Sequence, residues 1–260
     1  MDSWVYDFIV FAGVGFFAQL IDGALGMGYG VISATVLLAT GVPPAHTSAS
    51  VHAAKLFTTA ASGTSHILHG NVDKRILIIL CIAGSIGGIL GAMVLVNVAA
   101  GAIRPFVFGY LGIMGLVIIW RGLMFPSSKT VPGKYIAPLG AAGGFLDAIG
   151  GGGWGPVVTS SLIGAGASPR FVVGTVNAAE FVVTCAVVSA FAATIFLGVW
   201  AESNGIMDHF TAIMGLILGG LPAAFFAGWL LKVAPRKPLM IAVGLLICSI
   251  AGFELSRAIF

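Results

Sequence analysis

The chain has 260 residues, of which 58% are hydrophobic and only 8% charged, with a formal net charge of +3. A soluble domain carries about 25% charged residues, so this chain cannot cover a water-facing surface and its expected solvent is membrane lipid. The few charges fall in short stretches between apolar runs, which leaves no basic patch for nucleic acid.

Apolar segments run over 4–21, 31–40, 45–68, 76–99, 105–123, 136–149, 156–167, 170–199, 209–231 and 238–260. The opening MDSWVYDF has no basic run and no cleavage site, so it reads as a retained first segment. A membrane span needs about 20 apolar residues. Segments 31–40, 136–149 and 156–167 fall short and are expected as half-helices or re-entrant pieces. The stretches LIDGALGMGYGV (20–31) and FLDAIGGGGWGPV (145–157) should interrupt their helices, because each glycine costs a helix about 1 kcal/mol relative to alanine. Unwound backbone at membrane depth is tolerated only where protein buries it or a cavity wets it. Helix is expected to restart at Val31 and at Pro156, the latter suited to a first helical position. Each restart aims amide N–H groups and a positive dipole end at the break, which suits an anion. Gly28, Gly30, Gly153 and Gly155 are therefore candidate substrate positions, and Gln19, just before the first break, a candidate contact. Close packing of crossing helices is the other reading of the glycines. Asp22 and Asp147 either accept bonds from the freed amides or bind a coupling cation or proton.

Residues 22–58 align without a gap over 147–183, at an offset of 125, with ten of 37 positions identical. The identities include Asp22/Asp147, Gly26/Gly151, Gly28/Gly153, Gly30/Gly155 and Pro44/Pro169. This predicts an internal duplication: transmembrane repeat 1 over 1–123, a cytoplasmic linker over 124–135 and repeat 2 over 136–260. Loops 69–75, 121–135 and 232–237 are basic, whereas 200–208 carries only Glu202 and Asp208. Positive loops stay in the cytoplasm. Each half then reads as a short-helix pair that returns to its own side, followed by three spans. Three is odd, so the halves enter from opposite sides. The expected fold is all-α and polytopic, with two inverted-topology repeats, broken Gly-rich helices and both termini outside. Arg104, between two spans, is the exception to the charge rule.

Within SVHAAKLFTT (50–59), Lys55 stands eleven residues after Pro44, about 16 Å along a helix and near the middle of a ~30 Å core. Its counterpart at the offset is Glu180, and that of His52 is Asn177. Burying such groups costs at least about 2.5–3.5 kcal/mol, so they usually mark a pathway or an ion pair. Two readings stay open: Lys55 and Glu180 neutralise each other, or Lys55 and His52 hold an anionic substrate while Glu180 serves gating or proton coupling. Thr47, Ser48 and Ser50 would line a pore or bond back to helix carbonyls, and Ser48 is counted among the substrate candidates. His66 and His69 have an H-x-x-H spacing but no further ligand, so no metal is assigned. Arg170 reads as a headgroup anchor, Glu254 and Arg257 as an interfacial pair, and Cys81, Cys185 and Cys248 as packing residues. No cofactor is expected, and no catalytic triad, phosphate-binding loop or nucleotide signature is present.

The run GFFAQLIDGALGMGYGVISATVLLATGVPPAHTSASVHAAKLFTTAASG (15–63), with its second copy GGFLDAIGGGGWGPVVTSSLIGAGASPRFVVGTVNAAEF (143–181), resembles the TauE/SafE family of sulfite-exporter-type permeases. The resemblance covers nearly the whole chain. It implies a multi-pass inner-membrane protein that moves small sulfur-containing anions such as sulfite, sulfoacetate or other organosulfonates, with a proton gradient as the expected driver. Alternating access of one repeat against the other is the expected mechanism, and a homodimer an expected assembly. An anion channel, or a membrane-embedded metal enzyme or assembly subunit using His52 and the aspartates, are the alternatives.

Overall fold

The computed structural model describes residues 3–124, 133–200, 203–233 and 235–259. Every regular element among them is helical. In chain order these are α1 (Ser3–Leu25), α2 (Tyr29–Ala39), α3 (Pro44–Leu68), α4 (Lys74–Val96), α5 (Ala100–Leu123), α6 (Ile136–Gly150), α7 (Ser160–Gly164), α8 (Pro169–Phe196), α9 (Phe210–Phe225), α10 (Ala227–Val233) and α11 (Arg236–Ile259). A π-helical turn, Gly155–Thr159, leads into α7.

Local chemistry sets the boundaries. Pro44 and Pro169 sit in the first turns of α3 and α8, where the missing N–H is no loss. The Asp73 carboxylate caps α4 by accepting from Arg75 N at 2.9 Å and Ile76 N at 3.2 Å. Gly26 and Gly151 end α1 and α6 at φ +67° and +70°, a left-handed turn that any side chain would strain.

Helix is lost only over 26–28 and 151–153, so the breaks are shorter than the expected 20–31 and 145–157. Asp22 and Asp147 thus stand inside the last turns of α1 and α6, not in unwound chain. Helix resumes at Tyr29 and at Trp154, two residues before each expected restart. The first half is not a pair of short helices: α1 has 23 residues against 15 in α6. The expected continuous span 209–231 is also interrupted, at Phe226. There the Ser65 hydroxyl donates to Phe225 O at 3.0 Å and accepts from Gly228 N at 3.1 Å, so the broken backbone is satisfied from α3.

The antiparallel pair α3 and α8 forms the centre. Gly63 of α3 rests against Ala178 of α8, and Ser62 Oγ donates to Asn177 Oδ1 at 2.7 Å. Around this pair α1 packs on α9, α4 on α6 and α5 on α11. Small residues allow these approaches: Gly15 lies on the Leu216 backbone and Gly144 on that of Gly84. Among the described residues five helices are long and apolar enough to cross a membrane, within α1, α4, α5 and α8 and over Met207–Phe225. Their outer faces present large side chains such as Phe106, Ile82, Leu116 and Phe196, a surface that fits acyl chains. By contrast α3 is polar and enclosed, burying His46, Ser48, Ser50, His52, Lys55 and Thr59.

Contacts across the two halves are reciprocal at the offset of 125. Gly26 O lies against Gly155 while Gly30 lies against Gly151 O, and Ser48 lies beside Gly151 while Val173 lies beside Gly26. In each pair, residue i touches the counterpart of j and j touches the counterpart of i.

The chain's ends share one face. Helix α1 runs parallel to α9, with Phe8 beside Gly215 and Gly23 beside Ala227. The end of α11 meets the start of α5 through Glu254 and Arg104. The opposite face gathers Lys74, Arg75, Arg121, Lys134, Arg170 and Lys237. Most of the 124–135 linker, including Lys129, lies outside the described residues, as do Glu202 and the side chain of Arg257.

Candidate functional site

Lys55 is fully buried midway along α3. Its Nζ donates to Asp147 Oδ2 of α6 at 2.7 Å and pairs with Glu180 Oε1 of α8 at 2.7 Å. These two contacts account for a lysine within this apolar run: carboxylates from two other helices surround it. Burial of an ion is stable only when paired and hydrogen-bonded.

Asp147 is the hub. Its Oδ2 also faces His52 Nε2 at 3.1 Å, while Oδ1 accepts from Gly153 N at 2.8 Å and Trp154 N at 3.1 Å. His52 Nδ1 donates to Ser48 O at 2.8 Å. Both ring nitrogens therefore face oxygens of the protein, one from α3 and one from α6. The Ser48 hydroxyl donates to Ala148 O, which fixes α3 against α6 beside this pair.

The amides that the breaks release are occupied by the protein's own carboxylates. Tyr29 N donates to Asp22 Oδ1 at 3.3 Å, and Asp147 takes the two amides at the second break. The expected anion-binding helix ends are thus already filled by side-chain anions, because a short carboxylate one turn before each break reaches back to the restart. Asp22 lies within electrostatic reach of both Lys55 and Asp147. Counted with Lys55, Asp147 and Glu180, the centre holds three carboxyl groups against one amine, with the His52 ring beside Asp147.

Among the other sequence candidates, Gly28, Gly30, Gly153 and Gly155 are places where the two interruptions pack on each other. A methyl group on Gly30 would meet Gly151 O at 2.6 Å, and one on Gly155 would meet Gly26 O at 2.6 Å. Asn177 is on the same face of α8 as Glu180, but its amide bonds to Ser62 and to Val173 O. Gln19 is fully buried, and neither its amide nitrogen nor its oxygen has a hydrogen-bond partner among the described residues.

Three neighbours escaped the sequence reading. The buried Tyr110 hydroxyl sits against Gly153 without a hydrogen-bond partner among the described residues. Tyr29 donates its hydroxyl to Leu216 O at 3.1 Å, and Trp154 donates Nε1 to Val176 O at 3.0 Å. Trp154 stood within the quoted GGGGWGP and could have been singled out as an aromatic beside a break, whereas Tyr110 carried no signal in an apolar helix.

His66 and His69 do not converge: His66 Nδ1 meets Asn71 Nδ2 at 3.3 Å and His69 Nδ1 donates to Ser65 O at 2.7 Å. No group of three or more His, Cys, Asp or Glu side chains is placed to hold a metal among the described residues. Arg170 binds protein rather than projecting alone, donating to Asn71 Oδ1 at 2.7 Å and His69 O at 3.1 Å. Glu254 pairs with Arg104 at 3.5 Å.

A family model described as "Sulfite exporter TauE/SafE" matches residues 11–254. The chain is 42% identical over 244 residues to the "Probable membrane transporter protein YtnM" of Bacillus subtilis (strain 168), covering 91% of this chain and 78% of that protein. No solved structure matches it significantly.

Proposed function

The chain belongs to the sulfite exporter TauE/SafE family and is a multi-pass membrane transporter, not an enzyme, and from that premise we propose that it carries small sulfur oxyanions past Lys55 by alternating access. The cargo class is sulfite, sulfoacetate or a related organosulfonate. The observation that carries this reading is the buried ammonium of Lys55, held between carboxylates of two helices where two interrupted segments cross. A buried cation in a transporter with mobile partners is a site that an anion can enter by replacing one of them.

Charge decides what else must happen. An oxyanion cannot displace a carboxylate into the low-dielectric centre without a proton to neutralise it. Asp147 is held by Lys55, His52 and two amides, whereas Glu180 is held by Lys55 alone among the described residues. Glu180 is thus the group that takes the proton and swings away, which couples anion and proton. His52, Asp147 and Asp22 are the other titratable groups facing this exchange. Gln19, Ser48, Asn177 and the glycine-rich backbone at Gly28, Gly30, Gly153 and Gly155 supply the polar surround, and Asp22 and Asp147 hold the broken helices in register.

The reciprocal contacts at the offset of 125 support two inverted repeats, 1–123 and 136–260, joined by the 124–135 linker. Their crossing near Gly30 and Gly155 gives the axis for one repeat to rock against the other. The basic face supports a cytoplasmic orientation for the linker, an inner-membrane location and both termini outside. Uptake of sulfite and sulfoacetate into proteoliposomes of the full chain tests the reading. Saturable uptake that grows with an inward proton gradient supports it; equal conductance of unrelated anions without saturation favours a channel.

A further inference from the structure

A cavity of about 390 Å³ opens away from the ionic centre on the basic face. Its rim includes the exposed Met124 and Lys237, and its floor the buried Ala24, Leu25, Met27 and Ser160. The floor thus includes Met27 of the first helix interruption and the end of α1 that leads into it. Behind it the chain of contacts leads inward. Gly155 rests on Gly26 O and Met27, and the adjacent Gly153 and Trp154 amides hold Asp147, the partner of Lys55.

Arg121 lines this cavity. Its guanidinium stacks over the Trp120 ring at 4.4 Å and lies against Gly164, where any side chain would strike it. Its Nε is buried with no hydrogen-bond partner among the described residues. Among the described residues the lining includes the Arg121 and Lys237 side chains and no carboxylate. A guanidinium at the edge of a cavity, without an acid to answer it among the described residues, is a recognition element for a planar or tetrahedral oxyanion.

The other end of α5 shows the contrasting arrangement. Arg104 donates to Leu38 O at 3.0 Å and pairs with Glu254, tying α2 to α5 and α11. Leu38 and Ile163, the latter lining the cavity, are counterparts at the offset of 125. One end of α5 thus has its arginine tied to a carbonyl and a carboxylate, and the other has its arginine facing a cavity.

We propose that the cavity beside Arg121 is a second anion site, which receives the oxyanion cargo on the basic face and hands it across the Gly26–Gly28 interruption toward Lys55. The inference rests on the reading that the cargo is a sulfur oxyanion. An anionic phospholipid headgroup shares that chemistry; the cavity is assigned to the free oxyanion, and the lipid is distinguished by the test.

The experiment is initial-rate sulfite uptake by proteoliposomes of the full chain in phosphatidylcholine alone. Arg121→Gln should raise KM by at least about fivefold with the maximal rate nearly kept, and should flatten the dependence of KM on ionic strength, because steering charges act on capture. Arg121→Lys should recover most of the loss. Met124→Glu, which places a carboxylate at the exposed rim, should raise KM in the same direction and guards against a folding defect at Arg121. An unchanged KM in both Arg121→Gln and Met124→Glu overturns the proposal. So does an effect of Arg121→Gln that emerges only when phosphatidylglycerol is added, which assigns the site to lipid. If the wild-type protein takes up neither sulfite nor sulfoacetate, the cargo reading fails first and this site falls with it; normal wild-type uptake with unaltered variants sinks the second site only.

Discussion

Lys55 Nζ donates to Asp147 Oδ2 at 2.7 Å, across 92 positions of sequence. This bond links the middle of α3 to the last turn of α6, where the backbone is about to break. It therefore ties the buried charge to the geometry of the interruption: the same carboxylate that balances Lys55 also holds the Gly153 and Trp154 amides.

Removing the ammonium should unbalance both carboxylates at once. Breaking a buried ion pair by deleting one partner costs about 3–5 kcal/mol, so Lys55→Met should markedly lower the melting temperature in detergent and abolish uptake. Combining Lys55→Met with Asp147→Asn and Glu180→Gln removes the uncompensated charge. The triple variant should regain most of the lost stability and still fail to transport. A triple variant with near-normal uptake would remove Lys55 from the anion path.

Glu180 and Asp147 should separate in their pH behaviour. If Glu180 must take a proton before the anion can enter, uptake rises as pH falls on the loading side. Glu180→Gln mimics the protonated group permanently, so anion exchange should persist while the response to an imposed proton gradient disappears. Asp147→Asn should instead lose activity at every pH, because its amide cannot replace four contacts to a carboxylate. Paired measurements of sulfite exchange and gradient-driven uptake distinguish the two.

Much of this centre could be read from residue order, and the part that could not has a physical cause. Period and composition located the helices because apolar runs in lipid need few exceptions. The Asp-x3-Gly-x-Gly-x-Gly spacing found both interruptions, since glycine at positive φ is a local requirement at Gly26 and Gly151. Counting turns after Pro44 and Pro169 set Lys55 and Glu180 at equivalent positions of α3 and α8 and left a mutual pair as one of two readings; the structure brings the two side chains to 2.7 Å. The Lys55–Asp147 bond did not follow from such counting, because a gapless comparison matches Asp147 to Asp22 and Lys55 to Glu180, and says nothing about which helix of one half leans on which of the other. The break at Phe226 was hidden for the same reason: its backbone is satisfied by Ser65, far away in sequence.

The glycine contacts give a prediction about packing. A methyl group on Gly30 would lie 2.6 Å from Gly151 O and 2.7 Å from Gly152 Cα, both backbone atoms with nowhere to move. Overpacking of this kind costs about 1–3 kcal/mol. Gly30→Ala and Gly155→Ala should each lower thermal stability by a similar amount, because their contacts are reciprocal, and each should slow transport by jamming the crossing. Gly13→Ala and Gly109→Ala, with nothing within 4 Å of the added carbon, should do neither. Similar stability losses for all four would remove the crossing as their cause, since alanine is intrinsically the better helix former.

The two faces of the bundle carry the last prediction. Helix α1 starts on the face where α9 starts, beside Gly215, and α11 finishes on that same face beside Arg104. Both termini are then expected on one side of the membrane, whichever way the bundle is inserted. Lys74, Arg75, Arg121, Lys134, Arg170 and Lys237 are gathered on the other side, and short basic loops are retained in the cytoplasm. Alkaline phosphatase fused to the carboxyl end of the full chain should be active, since that enzyme folds only outside the cytoplasm, and the same fusion inserted between Asn71 and Val72 should be inactive. Reversed activities would turn the bundle over and place the Arg121 cavity outside. Activity at both positions is incompatible with this arrangement of helices, since the 69–73 loop and the end of α11 lie on opposite faces.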